Sequence, residues 1–319
     1  MTRRPGGTLK VLATGPLTVV EDLGRPGSSD IGVGRSGAAD RAAYRLANRM
    51  LANPDGAAAL EVTLGGLELE VIDGPVWLCV TGAPAPVSVD SRAVGPSTVV
   101  AAPTGSVVRL GPPLTGLRSY LGVRGGIVVP EVLGSRSHDV LAGLGPPPLR
   151  SGDEITTGPP PQDFPHVDHL PTSVAGDDVV LRVVRGPRDE WVRNADALVE
   201  ASWTASERSN RVGIRLAGGS IEHVDADRQL PSEGVYRGGI QVPPGGEPVL
   251  FLADHPVTGG YPVVAVVVDA DVDLAAQVRP GQAVRFIWVA PPFTSEAPPD
   301  QQASTADLST DPTADEESA

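Results

Sequence analysis

Four polar or aromatic residues lie close together in the stretch D-H-P-V-T-G-G-Y, from position 254 to position 261. This set, which offers a carboxylate, an imidazole and two hydroxyl groups, is Asp254, His255, Thr258 and Tyr261. The Gly259-Gly260 pair lets the backbone adopt a positive φ or approach a ligand closely. Apolar runs at 249–253 and 263–268 flank the stretch and indicate two buried strands. The pattern fits either a binding loop held between core strands or a plain β-turn.

Two further stretches place an arginine beside a hydroxyl group. They are Arg118-Ser119-Tyr120 and Ser209-Asn210-Arg211. The forked donors of a guanidinium group suit a carboxylate or a phosphate.

A pair of opposite charges lies near the start of the chain. Asp22 and Arg25 are flanked by Gly24 and Gly27. This arrangement fits either a catalytic pair or an ion pair that closes the loop.

The segment 32–37 has the form G-x-G-x-x-G and comes just before a predicted helix, as in dinucleotide-binding sites. The elements that follow are predicted to be antiparallel hairpins and not a series of βαβ units, which argues against such a site. A looser possibility is an anion bound at the free N–H groups of the helix N-terminus, although Asp40 at that end would oppose it.

Other common catalytic patterns are weak or missing in this sequence. His166 and His169 have a spacing that could suit a metal, but they lie in a Pro-rich stretch without acidic or cysteine partners at metal-site spacing. We therefore predict no metal site. The sequence also contains no G-x-S-x-G nucleophile motif.

Strands and turns must position these residues. The first strands are predicted at 8–15 and 17–20, and a hairpin at 60–72 around Gly65-Gly66. Apolar residues at helical spacing predict a helix with Asp40 as its N-cap, stopped by Asn53-Pro54 and plugging one end of a barrel. Further strands are predicted at 76–80, 86–89, 98–101, 106–110, 118–123 and 127–129, and further helices at 190–199 and 274–278.

The second half of the sequence repeats features of the first half in the same order. Four pairs of segments match, namely 9–16 with 181–188, 63–69 with 215–221, 75–83 with 248–255, and 103–110 with 279–286. This order predicts duplication of one all-β unit, each copy with enough strands for a small closed barrel. The predicted organisation is a first barrel subdomain at 1–155, a Pro-rich linker at 156–178, a second barrel subdomain at 179–290 and an acidic disordered tail at 291–319.

Charge and composition narrow the class of protein. Of the net charge of −14, half comes from residues 294–319, which carry seven acidic residues and no lysine or arginine. The sequence has no clustered basic stripe, so we predict no nucleic-acid partner. It also has no apolar run long enough to cross a membrane and no signal peptide, and its single cysteine, Cys79, lies in an apolar run. These features predict a cytoplasmic protein.

The chain contains one lysine, Lys10, at the start of the first predicted strand. A Walker-type phosphate loop and a biotin-carrying site each need a lysine in a specific context. Lys10 has neither context, so we predict that this chain has no P-loop and no covalently bound biotin.

The glycine-framed loops also carry a family resemblance. Eleven short motifs occur in order, among them V-E-D-L-G-R-P-G (20–27), L-E-V-T-L-G-G (60–66), R-S-Y-L-G-V-R-G-G-I (118–127), S-N-R-V-G-I-R-L (209–216) and T-G-G-Y-P (258–262). Together they resemble the biotin-dependent carboxyltransferase, or allophanate hydrolase subunit 2, family, whose members include the C component of 5-oxoprolinase and KipA-type proteins. The resemblance covers residues 9–290.

The resemblance implies a mainly β fold of tandem cyclophilin-like β-barrel subdomains with a few short helices. It implies an ATP-hydrolysing 5-oxoprolinase subunit that is active only in a hetero-oligomeric complex and takes part in converting 5-oxo-L-proline, a lactam, to L-glutamate. The implied partners are an allophanate hydrolase subunit 1 (KipI-like) protein, with the working cleft between the two chains, and a LamB/YcsF-type protein. The cosubstrate would be ATP with magnesium.

The loops that carry the motifs supply the expected site residues. Catalytic roles are predicted for Arg211, Tyr261 and Asp22, and substrate binding for Asn210, Thr258, Gly259, Gly260, Arg118, Tyr120 and Gln241. The sequence departs from the family pattern at Asp254-His255-Pro256-Val257, which replaces a more amide-rich version.

Two alternatives stay open. In the first, the chain is the carboxyltransferase subunit of a biotin-dependent carboxylase of the urea or allophanate type and takes the carboxyl group from a biotinylated partner. In the second, it is a non-catalytic regulator that resembles KipA and binds a kinase inhibitor.

Overall fold

The computed structural model describes residues 6–164, 167, 169–170 and 178–291, and its strands form separate sheets before and after the segment 158–178. We call residues 6–164 the first half and residues 178–289 the second half. The strands of the first half are β1 (Thr8–Thr14), β2 (Leu17–Glu21), β3 (Ala59–Thr63), β4 (Leu67–Asp73), β5 (Val76–Gly82), β6 (Val87–Val89), β7 (Arg92–Val94), β8 (Val100–Ala102), β9 (Val107–Leu110), β10 (Arg118–Val123), β11 (Ile127–Val128) and β12 (Glu154–Thr157).

The second half contains β13 (Val179–Arg185), β14 (Trp203–Ala205), β15 (Gly213–Ala217), β16 (Glu233–Gly234), β17 (Gly239–Gln241), β18 (Val249–Phe251), β19 (Thr258–Gly259), β20 (Val263–Val267) and β21 (Ala283–Trp288). The helices of both halves are α1 (Arg41–Met50), α2 (Ala197–Glu200) and α3 (Asp269–Ala275), with 3-10 turns at Ser29–Ile31 and Asp189–Trp191. Most predicted strands are present, and the sequence analysis did not predict β7 and β12 of the first half or short strands of the second half such as β14 and β17.

Two antiparallel sheets build the first half around one core. One has the order β11-β12-β1-β4-β9-β6-β7 and the other β2-β3-β10-β5-β8. Alternation decides which side chains enter the core: in β4, Leu67, Leu69 and Val71 are buried and the intervening residues are more exposed. Buried residues of both sheets, such as Leu69 and Leu121, belong to the same apolar cluster.

The hairpin predicted at 60–72 is wrong. β3 pairs with β2 and β10, whereas β4 pairs with β1 and β9, so the chain changes sheets at Gly65-Gly66. Both glycines have positive φ, and a Cβ on Gly65 would lie 2.1 Å from the carbonyl oxygen of Gly111. The glycines therefore allow two backbone segments to pass close to each other, and they do not form the turn of a hairpin.

A closed barrel with the order β13-β20-β17-β18-β15-β14-β21 forms the second half. Its closing pair, β13 with β21, is parallel, and the other pairs are antiparallel. Trp203 and Phe286 are fully buried within it. The structure thus confirms the expected mainly β fold with a few short helices.

Helix α1 begins where the sequence predicts, since the Asp40 side chain accepts a hydrogen bond from Ala43 N at 2.8 Å. It does not plug the end of a barrel, however. It lies against the outer face of the five-stranded sheet. Ala47 and Leu51 of the helix segment lie beside Gly122, and the Thr81 hydroxyl donates to the Ala43 carbonyl. The lack of a side chain at Gly122 gives the helix room to approach the sheet.

The helix predicted at 190–199 is also wrong. Only a 3-10 turn and the four-residue α2 form, because the groups between them are used elsewhere. Arg193 N donates to the Glu222 carbonyl, and Asn194 Oδ1 accepts from Asp196 N. These bonds replace the helical pattern. Near the end of the chain, α3 begins five residues before the helix predicted at 274–278.

The described residues up to Val289 belong to one unit, and β12 runs to Thr157, two residues into the predicted linker. His166, most of the predicted acidic tail and much of the predicted linker lie outside the described residues. The subdomain boundaries stay a prediction.

Candidate functional site

The loop before β15 sends Arg211 into a fully buried position between the two halves, where it is 2% exposed. Its Nε and Nη2 atoms bind the Asp254 carboxylate at 2.9 and 3.1 Å. Its first-half partners are Glu61 and Gly37: Nη1 donates to the Glu61 carboxylate, and Nη2 donates to the Gly37 carbonyl at 2.7 Å. Nη2 also lies 3.1 Å from Glu21 Oε1. Arg211 therefore joins the halves through paired, buried charges.

Strands β10 and β3 supply the first-half side of this cluster. Tyr120 and Glu61 are direct cross-strand partners, so their side chains project from the same face. The Tyr120 hydroxyl donates to Glu61 Oε2 at 2.7 Å and accepts from Asp40 N at 2.7 Å. Arg118 Nε lies 3.3 Å from Glu61 Oε1, and Ala39 N donates to Oε2 at 3.0 Å. Burial raises the pKa of Tyr120 well above its usual value, which keeps the phenol protonated.

The pKa values of two carboxyl groups in the cluster are shifted in opposite directions. Burial raises the pKa of Glu21 well above its usual value, and nearby Arg211 offsets this only in part. Glu21 has no hydrogen-bond partner among the described residues, because neighbouring Ser137 donates its one hydroxyl hydrogen to Asp22. Burial would also raise the pKa of Glu61, but Arg211 and Arg118 hold it below its usual value. A protonated Glu21 leaves two arginines facing two carboxylates.

Asp22 is the centre of a second buried network, in the first half. Its Oδ1 accepts from the hydroxyls of Ser135 and Ser137, both at 2.6 Å, and from Gly24 N at 2.7 Å. Its Oδ2 accepts from Arg136 N at 2.6 Å. Asp22 thus fastens the 134–137 loop to the end of β2.

Arg25 does not pair with Asp22. Its charged partner among the described residues is Asp139, at 3.8 Å, and it also donates to the Ser137 and Val132 carbonyls. The predicted pairing of Asp22 with Arg25 is therefore wrong, and Arg25 faces Asp139 instead.

The helix that follows the glycine-rich loop has no free N-terminal groups. Arg41 N and Ala42 N donate to the carboxylate of Asp273, which belongs to α3 of the second half, at 3.0 and 3.2 Å. Ala43 N donates to Asp40, whose pKa burial raises to about 6. The anion site considered at this helix N-terminus is therefore wrong, since two carboxylates already occupy it.

Loops from both halves surround a first open cavity, of about 500 Å³. Its lining includes Thr258 and His255 from the second half and the segments 29–34 and 139–142 from the first. His255 Nδ1 lies 2.7 Å from the Pro256 carbonyl, which can only accept, so Nδ1 carries the hydrogen. Burial lowers the pKa of His255 and favours the neutral ring, which leaves Nε2 as a proton acceptor.

A second cavity, of about 580 Å³, lies at the barrel of the second half. Gly260 and Tyr261 line it, with Tyr261 44% exposed. The lining also includes Trp191, over which the Arg228 guanidinium lies at 3.8 Å from the ring centroid.

A third cavity, of about 290 Å³, lies between the halves and is lined by Arg118, Asn210 and Arg211 together with apolar side chains. The ten predicted site residues therefore do not form one constellation. Three share this cavity, Thr258 lines the first and Gly260 and Tyr261 line the second. Tyr120 and Asp22 are enclosed in protein contacts, and Gln241 lies beside Gly259, where a Cβ would come within 3.3 Å of its Oε1.

Sequence reasoning left Glu21, Asp273 and Gln277 out of its site residues. Glu61 carried a signal, since it interrupts the apolar pattern of β3, and Glu21 is a buried charge at the end of β2. Gln277 receives Leu117 N and Arg118 N at 2.9 Å each and donates to Asp40, so it is a further link between the halves. Nothing in the sequence around Gln277 or Asp273 indicates these contacts.

The described residues contain neither a metal-binding cluster nor a membrane-spanning helix. In that part of the chain, no three His, Cys, Asp or Glu side chains come together in a way that could hold a metal ion. Among the same residues, no helix has the length and apolar character needed to span a membrane.

Comparison with known proteins identifies close relatives. The carboxyltransferase domain family, subdomains A and B, matches residues 31–288. The C component of the 5-oxoprolinase of Escherichia coli (strain K12) is 36% identical over 300 residues, which cover 92% of this chain and 95% of that protein.

Solved structures agree with this assignment. The crystal structure of TTHA0988 matches with a TM-score of 0.81 and 30% identity, over 90% of this chain and 57% of that one. The urea amidolyase of K. lactis matches with a TM-score of 0.83 and 29% identity, over 90% of this chain and 19% of that one. Both likenesses extend over most of the described residues.

Proposed function

This chain belongs to the carboxyltransferase domain family of subdomains A and B, and on that premise we propose that it is the C-type component of an ATP-dependent 5-oxoprolinase. Such an enzyme converts 5-oxo-L-proline to L-glutamate. The observation that carries the proposal is the 36% identity to the C component of 5-oxoprolinase, which extends over 95% of that protein.

The carbonyl carbon of a lactam is a poor electrophile, so it must be activated before water can attack it. We propose that the γ-phosphoryl group of ATP is transferred to the lactam oxygen with release of ADP, and that water then adds to the activated carbon. The C–N bond of this adduct breaks, with the ring nitrogen leaving as the protonated amine, to give an acyl phosphate. A second water hydrolyses the acyl phosphate to L-glutamate and phosphate. Negative charge develops on oxygen in these steps, so fixed N–H and guanidinium donors would lower the barrier. A neutral His255 beside the cavity that Thr258 lines could accept a proton from the attacking water.

Partner proteins are part of the proposal. We propose a KipI-like protein and a LamB/YcsF-type protein as the other components, with this chain inactive alone. The open cavity between loops of both halves supports a shared cleft, because Ile31 and Leu141 beside it are 64% and 52% exposed. Large apolar side chains exposed around a cavity are typical of surfaces that another protein covers.

The described residues offer little to hold ATP or magnesium. The N–H groups at the start of α1 are occupied by Asp273 and Asp40, and the single lysine, Lys10, lies within β1 between β4 and β12. We therefore propose that a partner protein holds the nucleotide and its metal, and that this chain contributes to the lactam site.

The direct test is reconstitution. The chain is co-expressed with its KipI-like and LamB/YcsF-type neighbours, and glutamate release from 5-oxo-L-proline is measured with and without ATP. We expect ATP-dependent glutamate that disappears when this chain is left out. A well-folded three-component complex that releases no glutamate would remove the proposal.

A carboxyltransferase role is the second candidate, favoured by the likeness to urea amidolyase. Because Lys10 lies inside a sheet, the biotin in that case would be carried by another protein. Recovery of a biotinylated partner with the chain, together with transfer of a carboxyl group from carboxybiotin to urea, would favour this alternative over lactam opening.

A further inference from the structure

The second cavity, of about 580 Å³ at the barrel of the second half, is lined by two charged side chains of opposite sign. They are Asp227 and Arg228, which are neighbours in the chain. Neither side chain makes a hydrogen bond or an ion pair with a described residue, and the two do not pair with each other. The cavity therefore offers one unused cation and one unused anion to a ligand.

The position of the Arg228 guanidinium is fixed by an aromatic ring. Arg193, also exposed in the second half, pairs with Glu222 at 3.5 Å. Arg228 instead lies over Trp191, with its guanidinium carbon 3.8 Å from the ring centroid. Because Trp191 is 8% exposed and lines the cavity, it holds this cation at the cavity wall. The planar fork of guanidinium N–H donors suits a carboxylate.

The loop that carries both charges is anchored to the barrel. Val224 N donates to the Trp191 carbonyl at 2.9 Å, and Asp225 Oδ1 accepts from Asp227 N at 3.1 Å. The second bond engages only the backbone of Asp227, so its carboxylate stays available. The two charges are therefore held in place before a ligand binds, which lowers the entropic cost of binding.

The rest of the lining suits a small ligand with a short side chain. Leu230, Pro244 and Pro262 add apolar surface, and Gln229 adds an amide that has no partner among the described residues. The volume lies within the usual range of small-molecule sites. A ligand of one charge sign would leave either Asp227 or Arg228 without a partner, whereas a zwitterion satisfies both.

We propose that this cavity is a binding site for a free α-amino acid, whose carboxylate binds Arg228 and whose ammonium group binds Asp227. The two charges of an α-amino acid lie close together, as the two neighbouring residues require. A lactam nitrogen carries no positive charge, so 5-oxo-L-proline matches only one of the two side chains. The inference therefore goes beyond the proposed function and does not rest on it.

The test measures binding to the purified full-length chain. Titration calorimetry with each standard L-amino acid gives the Kd values. The tightest ligand is then compared with its amide, which lacks the carboxylate, and with its N-acetyl derivative, which lacks the ammonium group. We expect each derivative to bind at least about tenfold more weakly, because each leaves one charge of the cavity without its partner.

Two outcomes of these titrations overturn the inference. In the first, no standard L-amino acid binds at millimolar concentrations. In the second, the N-acetyl derivative binds as tightly as the free amino acid, which would mean that the cavity takes a carboxylate alone, as at the end of a partner polypeptide.

Two substitutions assign the contacts. Arg228→Gln should weaken binding of the free amino acid at least about tenfold and remove its advantage over the amide. Asp227→Asn should weaken binding by a similar factor and remove the advantage over the N-acetyl derivative. Both side chains are exposed, so the melting temperature should stay unchanged. An unchanged Kd in both variants would place the ligand elsewhere and overturn the inference.

Arg215→Gln is the matched control. Arg215 is also exposed and has no carboxylate partner among the described residues, but it belongs to β15 and does not line the cavity. The same loss of charge at this position should leave the Kd unchanged. A loss of affinity equal to that of Arg228→Gln would show that net charge, and not the cavity, controls binding, and would overturn the inference.

Discussion

Arg211 and Tyr261 both belong to the second half of the chain, yet their polar atoms have opposite surroundings. Arg211 is 2% exposed and donates hydrogen bonds to the Asp254 and Glu61 carboxylates and to the Gly37 carbonyl, whereas Tyr261 is 44% exposed at a cavity. Groups that are fully paired inside a protein hold structure together, and groups with unused capacity are available to a ligand. The difference assigns Arg211 to the joint between the halves and leaves Tyr261 as a candidate for contact with substrate.

The largest expected effect comes from breaking the buried cluster. Arg211→Ala leaves Glu61 and Asp254 buried without their shared cation, so the free energy of unfolding should fall by about 3–5 kcal/mol. Urea-induced unfolding measures the change. Arg208→Ala, which removes an exposed ion pair with Glu247, should change it far less. Equal effects of the two substitutions would show that the cluster does not join the halves.

An intermediate effect depends on pH. The pKa of Glu21 is higher in the folded chain than in the unfolded chain. As the pH rises, the unfolded chain therefore loses this proton at a lower pH than the folded chain does. The free energy of unfolding falls as a result. Glu21→Gln keeps the neutral shape and removes this titration. Its stability advantage over the unmodified chain should therefore grow from pH 5 to pH 8, by up to about 1.4 kcal/mol per pH unit. Denaturant unfolding across this range tests it, and a constant difference would mean that Glu21 is ionised in the folded chain.

The smallest expected effect on stability comes from the exposed loop. Tyr261→Ala should change the free energy of unfolding by no more than about 0.5 kcal/mol, because the side chain is partly exposed and away from the buried cluster. In the reconstituted complex, however, glutamate release should fall by at least about tenfold if Tyr261 contacts substrate. Tyr261→Phe separates the hydroxyl from the ring. Full activity in both variants would remove Tyr261 from the site.

Local signals predicted local structure well. Asp40 and the apolar spacing behind it located the start of α1, and runs of β-branched residues located strands such as β18 and β20. The turn at Gly65-Gly66 was placed correctly but its partner strands were not, since a sequence pattern does not say which sheet a strand joins. That choice depends on the backbone crossing with Gly111, which is distant in the chain.

The candidate site was harder to predict, for the same reason. Arg118 and Arg211 could be singled out by residue type, but whether a guanidinium group faces a ligand or a carboxylate depends on residues far away, such as Glu61 and Asp254. Glu21 shows this most clearly. Its place in an apolar strand indicated a special environment, and only the fold shows that it is enclosed without hydrogen-bond donors from the described residues.

The carboxylate of Asp273 has a consequence for how the protein is made. It accepts the first two N–H groups of α1 although it lies 232 residues after Arg41. During synthesis on the ribosome, α1 therefore gains these acceptors only when nearly all of the second barrel has been translated. A fragment that ends before Asp273 therefore lacks the second-half acceptor for the first turn of that helix.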